Sequence, residues 1–180
     1  YSMHRNISRA TGTQWIAVER NDDYSIDLGS AAEVINAQSP TLIFLTTPNN
    51  PTGTVTSLTD IERIAQICRE RNSLLVIDEA YQEFSSEQSA VTLIDKYPNI
   101  IVSRTMSKAF AFAGARVGYL VANPEVIDAM YLVRLPYHLS AITQAAAEVA
   151  LEYQGELLGT VSTLIESRKQ VVTALVAMGL

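Results

Sequence analysis

The stretch LLVIDEAY (Leu74–Tyr81) decides the fold class, because four apolar residues run directly into two carboxylates. A short apolar run that stops at charged residues is typical of a strand buried on both faces of a sheet. We therefore predict a strand over Leu74–Ile77 that ends at Asp78. Runs of the same kind predict three further strands, at Thr41–Thr46, Asn99–Ser103 and Arg116–Ala122.

Helical periodicity fills most of the sequence between and after these strands. Ser57, with Asp60 three residues later, predicts a capped helix start. The apolar stripe that follows consists of Ile61, Ile64, Ala65 and Cys68. Similar patterns predict a strand at Thr13–Arg20 and helices at Ser30–Ala37, Pro124–Arg134, Ser140–Tyr153 and Gly155–Met178. Alternating strands and helices predict a single α/β domain over residues 1–180, with helices on both faces of a mostly parallel, mixed sheet.

Composition excludes several classes of function. Among 180 residues, 13 Lys and Arg oppose 19 Asp and Glu, and this net charge of −6 argues against a nucleic-acid or membrane-surface partner. The 48% of hydrophobic residues excludes a disordered chain, and no apolar run is long enough to span a membrane. One cysteine, Cys68, excludes an internal disulfide and fits a reducing cytoplasm. With only His4 and His138 beside it, no usual metal-ligand set is available, and we interpret both histidines as ordinary, partly buried residues.

Chemically active side chains follow the predicted strands. Ligands of parallel α/β sheets bind outside the carboxyl ends of the strands, and there the sequence brings an amide, a carboxylate, a phenol, an amine and a guanidinium: Asn50, Asp78, Tyr81, Lys108 and Arg116. Lys108 stands among apolar residues, which is a poor setting for a surface lysine. Taken singly, each has an ordinary interpretation as a turn former, solvated charge, core aromatic or ion-pair partner.

A competing motif is the run Leu75–Glu79, which resembles the second magnesium-nucleotide motif of P-loop ATPases. The phosphate-binding signature GxxxxGK[ST] that such enzymes need occurs nowhere in the sequence. A nucleotidase is therefore disfavoured.

Four elements in order carry a family resemblance: NNPTG (Asn49–Gly53), DEAY (Asp78–Tyr81), Ser107-Lys108 and Arg116. Together they resemble the fold-type-I pyridoxal-phosphate aminotransferases. Within that superfamily, three more stretches are similar to histidinol-phosphate aminotransferases: YSMH (residues 1–4), RTMSKAF (Arg104–Phe110) and LPYHLS (Leu135–Ser140). That family exchanges amino groups between glutamate and imidazole acetol phosphate in histidine biosynthesis.

The resemblance implies a role for each matching residue toward pyridoxal 5′-phosphate. Lys108 forms the Schiff base with the cofactor aldehyde and moves the proton during transamination. Asp78 holds a proton on the pyridine nitrogen, and Asn50 and Tyr81 hydrogen-bond the O3′ oxygen.

Further roles follow from the same resemblance. Arg116 pairs with the cofactor phosphate, to which Ser107 and Thr105 donate hydroxyl groups. Tyr1 stacks on the cofactor ring. Tyr137 contacts the imidazole or phosphate end of the substrate, or else is a tyrosine packed at a helix entry.

The chain begins at Tyr1 and ends in a helical pattern, and we interpret it as most of the large cofactor-binding domain of a longer protein. The N-terminal segment and the C-terminal small domain of the family then lie outside it. This implies that the 180-residue piece is inactive alone and that the full-length protein is a cytoplasmic homodimer acting on small amino and keto acids. Three alternatives stay open: an aromatic amino-acid aminotransferase, a lyase or decarboxylase with the same cofactor, and a cofactor-free scaffold domain.

Overall fold

A four-stranded sheet organises the computed structural model, which describes residues 1–180. Its strands are β1 (Leu42–Thr46), β2 (Leu74–Asp78), β3 (Ile100–Thr105) and β4 (Gly118–Ala122). Its helices are α1 (Ser2–Ala10), α2 (Leu28–Gln38), α3 (Leu58–Glu70), α4 (Pro124–Val133), α5 (Ala141–Glu152) and α6 (Gln154–Ala177). Short 3-10 helices occupy Gln82–Phe84, Ala90–Leu93 and Ala113–Ala115.

The sheet has the order β1-β2-β3-β4, and β2 pairs in parallel with both β1 and β3. Asp78 is opposite Thr46 on one side and Ser103 on the other, so the carboxyl ends of β1 and β2 are level and β3 extends two residues further. The predicted α/β fold is confirmed. Parallel register brings the loops that follow β1 and β2 to the same edge, where ligands of such sheets bind.

Helix α3 and strands β2 and β3 supply the core beneath that edge. Ser57 caps α3 as predicted, since its Oγ accepts the N–H of Asp60 at 3.1 Å. The predicted stripe is buried in full and joins one apolar cluster with residues of both strands: Ile61, Ile64, Ala65, Cys68, Leu75, Ile77, Ile100 and Val102.

The predicted strand at Thr13–Arg20 is wrong, because this segment has no regular secondary structure and pairs with no strand of the sheet. A strand needs a ladder of backbone hydrogen bonds, whereas a side chain anchors this segment: Arg20 Nη2 donates to the Thr46 carbonyl at 2.9 Å. The segment borders a cleft of about 680 Å³ that β1 and α2 also line. Helix α1, which the sequence analysis did not predict, contributes to the same cleft.

The other predicted bounds are close to the observed ones, with one informative exception. The strand predicted from Arg116 begins only at Gly118, because Arg116 has φ 55°, a left-handed conformation that a strand cannot include.

The chain divides into two compact units. The first comprises Tyr1–Arg104 with Tyr119–Val133, and the second comprises Thr105–Gly118 with Arg134–Leu180. The core of the second unit is smaller and consists of Met106, Phe110, Val117 and Ala150. Whether residues 1–180 form a single functional domain stays a prediction. None of the helices combines the length and apolar character needed to cross a membrane.

Candidate active site

In the first unit, the carboxylate of Asp78 is the centre of the candidate site. Asp78 ends β2, and its side chain is 16% exposed. Its Oδ1 accepts the N–H of Ala80 at 3.2 Å, and its Oδ2 lies 3.3 Å from Nε2 of His4. The position at a strand end leaves this carboxylate reachable while two neighbours fix its direction.

Helix α1 brings His4 to that carboxylate. The His4 ring stacks on Phe44 of β1, with 4.7 Å between centroids and 30° between planes. The ring of Tyr1 meets His4 edge-on at 5.3 Å. The interpretation of His4 as an ordinary histidine missed this pairing, because nothing in the sequence predicted the helix that carries it.

The loop after β1 holds Asn50 at the same edge of the sheet. Two backbone hydrogen bonds close the loop at 2.8 Å, from Asn49 N–H to the Thr54 carbonyl and from Gly53 N–H to the Asn49 carbonyl. Gly53 has φ 74°, which glycine adopts without strain. Because Thr47 N–H donates to the Asp78 carbonyl at 3.0 Å, the loops after β1 and β2 start side by side.

Tyr81 follows Asp78 by three residues and precedes the 3-10 helix Gln82–Phe84. Its ring is partly buried and lies 6.4 Å from the ring of Phe84. Four of the predicted residues thus lie around the carboxyl ends of β1 and β2, all within the first unit: Asp78 at the end of β2, Asn50 and Tyr81 in the loops that follow, and Tyr1 at the start of α1.

The second unit carries the hydroxyl pair and the lysine in a tight turn. Thr105 Oγ1 lies 2.9 Å from Ser107 Oγ and accepts the N–H of Ser107 at 3.1 Å. Met106 N–H donates to the Val117 carbonyl at 3.1 Å, which ties the turn to the segment before β4. Two hydroxyl oxygens are therefore fixed side by side.

Lys108 is exposed, contrary to the expectation from its apolar neighbours. Those neighbours supply the buried side of the turn, since Met106, Ala109 and Phe110 are all buried. The turn closes through Ala111 N–H to the Lys108 carbonyl at 2.9 Å. The apolar residues fix the backbone of the turn, whereas Lys108 between them is exposed.

Arg116 and Tyr137 share a left-handed backbone, with φ 55° and 56°. Arg116 is exposed, and its Nη1 donates to the Ala113 carbonyl at 3.2 Å. Such conformations in non-glycine residues are concentrated at functional sites. Tyr137 is 99% exposed, so the interpretation of it as a tyrosine packed at a helix entry is wrong. His138 is exposed as well, and its expected partial burial is also wrong.

The sequence analysis also missed Glu79 and Arg104, which form the most buried ion pair of the chain, with Nη2 of Arg104 2.8 Å from Oε2 of Glu79. A signal for Glu79 was present. Leu75 and Ile77 are the buried positions of β2, and Glu79 continues the same two-residue alternation beyond the strand end. A carboxylate at a core-facing position requires a partner.

Known proteins are similar to this chain along its whole length. The family model for aminotransferase class I and II matches residues 1–180. The chain is 52% identical over 181 residues to a histidinol-phosphate aminotransferase of Mycolicibacterium vanbaalenii, covering 99% of this chain and 48% of the relative. It is 54% identical over 180 residues to one of Corynebacterium glutamicum, with the same coverage.

A solved structure of an enzyme with the same name is also similar to this chain. The crystal structure of histidinol-phosphate aminotransferase from Sinorhizobium meliloti in complex with pyridoxal-5′-phosphate matches with a TM-score of 0.86 and 30% identity, over 95% of this chain and 47% of that one. The chain belongs to the aminotransferase class I and II family. It spans about half the length of the curated relatives that it matches.

Proposed function

We propose that the full-length protein is a pyridoxal-phosphate-dependent histidinol-phosphate aminotransferase. It exchanges an amino group between glutamate or 2-oxoglutarate and histidinol phosphate or imidazole acetol phosphate. The observation that carries the proposal is the Asp78 carboxylate at the end of β2, 3.3 Å from His4. Relatives that are 52% and 54% identical bear the name of this enzyme.

The donor groups fit the chemistry of the cofactor. A directed carboxylate suits a protonated pyridine nitrogen, and Asp78 supplies one. The fixed hydroxyl pair Thr105 and Ser107 and the guanidinium of Arg116 suit a phosphate group. The exposed amine of Lys108 suits a covalent bond to an aldehyde. These residue types, rather than the fold, support the cofactor assignment.

When bound, pyridoxal phosphate supplies an electron sink for the bonds at the substrate Cα. Asp78 keeps a proton on the pyridine nitrogen, and His4 holds the Asp78 carboxylate in position. Asn50 and Tyr81 hydrogen-bond the phenolic O3′ oxygen. The ring of Tyr1 would stack on the cofactor ring. The Lys108 amine would take the proton from the substrate Cα and deliver it to C4′, the former aldehyde carbon of the cofactor.

Reductive labelling tests this proposal. The full-length protein is incubated with pyridoxal phosphate, reduced with borohydride and mapped by peptide mass spectrometry. The described chain has three lysines, and Lys96 and Lys169 are exposed residues in ion pairs with Glu62 and Glu166. We expect a phosphopyridoxyl group on Lys108 alone. Lys108→Ala abolishes it, whereas Lys96→Ala and Lys169→Ala leave it unchanged. Absence of label at Lys108 contradicts the cofactor assignment.

The substrate is tested separately from the cofactor. We expect kcat/KM for histidinol phosphate to exceed that for phenylalanine and tyrosine by at least about tenfold, a ratio that needs only about 1.4 kcal/mol. The reverse order favours the aromatic amino-acid aminotransferase, which shares all of the cofactor residues. Release of carbon dioxide without amino transfer favours the decarboxylase alternative.

The remaining parts of the proposal concern the whole protein. We propose a homodimer in the cytoplasm. The 180-residue chain alone is expected to show no transamination, and measurable turnover by it contradicts this expectation.

A further inference from the structure

Two residues of the first unit that are assigned to the cofactor, Asp78 and Tyr81, are each followed by another carboxylate: Glu79 comes directly after Asp78, and Glu83 comes two residues after Tyr81. Glu79 is 1% exposed, the most buried charged side chain of the protein. Its Oε2 accepts from Ser89 Oγ at 2.7 Å, and its Oε1 accepts the N–H of Ala90 at 2.7 Å. Both carboxylate oxygens of Glu79 therefore already accept a hydrogen bond from the start of the 3-10 helix Ala90–Leu93, in addition to any contact with a cation.

Arg104, near the end of β3, completes the cluster. Its Nη2 and Nε donate to Glu79 Oε2 at 2.8 and 3.1 Å. Its Nη1 lies 3.6 Å from Oε1 of Glu83. Burial lowers the pKa of Arg104, but the hydrogen bonds and charges of Glu79 and, to a smaller extent, Tyr119 together outweigh burial and raise it. One guanidinium thus joins a carboxylate before Tyr81 to a carboxylate after it.

The cluster is poorly explained as a device for stability. Removing two charges from water costs several kcal/mol per ion, and well-packed apolar residues commonly replace a buried ion pair without loss of stability. The buried Oε2 of Glu83 has no hydrogen-bond partner, which adds to that cost. Directional hydrogen bonds, unlike apolar contacts, fix the angle and register of a loop.

We propose that Glu79 and Arg104 are positioning residues that hold Asp78 and Tyr81 in the orientation required by the cofactor pyridine nitrogen and O3′ oxygen. The cluster acts through the backbone of residues 78–84, which Arg104 spans from Glu79 to Glu83. A further backbone bond, Glu79 N–H to the Ser103 carbonyl at 2.9 Å, fixes the start of that segment. This inference rests on the proposed function.

The test separates positioning from stability by means of two variants of the full-length protein. Glu79→Gln removes the charge and keeps the shape. The double variant Glu79→Leu with Arg104→Met replaces the pair by apolar side chains, which restores stability where the ion pair serves stability alone. Glu62→Gln, which breaks the exposed pair with Lys96, is the matched control. Each protein is measured for its unfolding midpoint, its Kd for pyridoxal phosphate and the pH at which the absorption of the bound cofactor changes.

We expect both Glu79 variants to weaken cofactor binding by about tenfold or more, the loss typical of residues that support a direct ligand. We also expect both to shift the pH of the absorption change, because that pH reports the groups at the pyridine nitrogen and O3′. The control Glu62→Gln leaves the Kd for pyridoxal phosphate and the pH of the absorption change as they are in wild type. The proposal is overturned when the double variant, with its unfolding midpoint recovered, binds the cofactor as wild type does. Where either variant is insoluble, Glu83→Gln is held to the same criteria.

Amide hydrogen exchange tests the positioning role of Glu79 independently of the proposed function. Failure of the wild-type protein to bind pyridoxal phosphate refutes the proposed function, and amide hydrogen exchange without cofactor then decides on positioning. Glu79→Gln must accelerate exchange in residues 78–84 while leaving α3 protected. Equal acceleration in both segments, or none in residues 78–84, refutes the positioning role.

Discussion

At the scale of single residues, the direction of the Asp78 carboxylate depends on a side chain from another element. His4 Nε2 lies 3.3 Å from Asp78 Oδ2, and the His4 ring is stacked on Phe44. His4→Phe keeps an aromatic ring against Phe44 but removes the polar contact. Because this polar contact orients the carboxylate, we expect the Kd of the full-length protein for pyridoxal phosphate to rise by about tenfold, which corresponds to about 1.4 kcal/mol. Fluorescence titration measures it.

The other histidine provides the control for this prediction. His138 is exposed and belongs to the second unit. His138→Phe makes the same chemical change without a carboxylate neighbour, and we expect an unchanged Kd. Equal affinities for His4→Phe and wild type would show that the carboxylate is held in place by the Ala80 amide alone.

The sequence predicted the types of site residues better than their surroundings. Residue types and order sufficed to propose Asp78, Lys108 and Arg116, because the chemistry requires a carboxylate, an amine and a guanidinium. Exposure was not predictable for Lys108, since it depends on which neighbours turn toward the core. Arg116 was assigned to a strand because its left-handed conformation leaves no mark in the residue pattern.

At the scale of elements, the sequence predicted the helices and strands that have a strong local pattern. It failed for segments whose structure depends on pairing or packing with another segment. Helix α3 has both a cap and a buried stripe, and both are confirmed. Segment Thr13–Arg20 has the composition of a strand, but a strand exists only where another pairs with it, and that is a tertiary property. Helix α1 is only nine residues long and has no buried residue, so it lacks the core packing that accompanies the stripe of α3.

Helix α3 also yields a prediction about pH. Cys68 is fully buried in its stripe, and burial raises the pKa of this thiol from 9.0 to about 12. Between these values the unfolded chain has lost the thiol proton and the folded chain keeps it. The contribution of the neutral Cys68 thiol to the free energy of unfolding is therefore fully present below pH 9. It is lost as pH rises toward 12, with a slope of at most about 1.4 kcal/mol per pH unit.

Urea unfolding from about pH 8 to about pH 10.5 measures this effect. Lysines and tyrosines titrate in the same range, so the informative quantity is the stability of wild type minus that of Cys68→Ala. We expect this difference to shrink with rising pH, because the variant lacks the thiol while every other group is common to both. A difference that is constant across the range would refute burial of a neutral thiol.

At the scale of the whole molecule, the distribution of apolar surface has consequences that no single site shows. Helix α6 is long, yet Val161 is its only buried residue. Its exposed apolar side chains recur at helical spacing and form one stripe, consisting of Leu164, Val171, Val172, Leu175 and Val176. Exposed stripes of this kind mark surfaces that associate.

We therefore expect the 180-residue chain, prepared alone, to self-associate through this stripe at micromolar concentration. Val171→Lys with Leu175→Lys places two charges on the stripe, and the weight-average mass by sedimentation then falls toward that of one chain. Gln170→Lys with Thr173→Lys adds the same charge to exposed polar positions of the same helix, so it controls for the change in net charge from −6 to −4. Because apolar burial drives association and uniform charge repulsion opposes it only weakly in salt, the control should associate as wild type does. Equal masses for the two double variants would mean that the stripe takes no part in association.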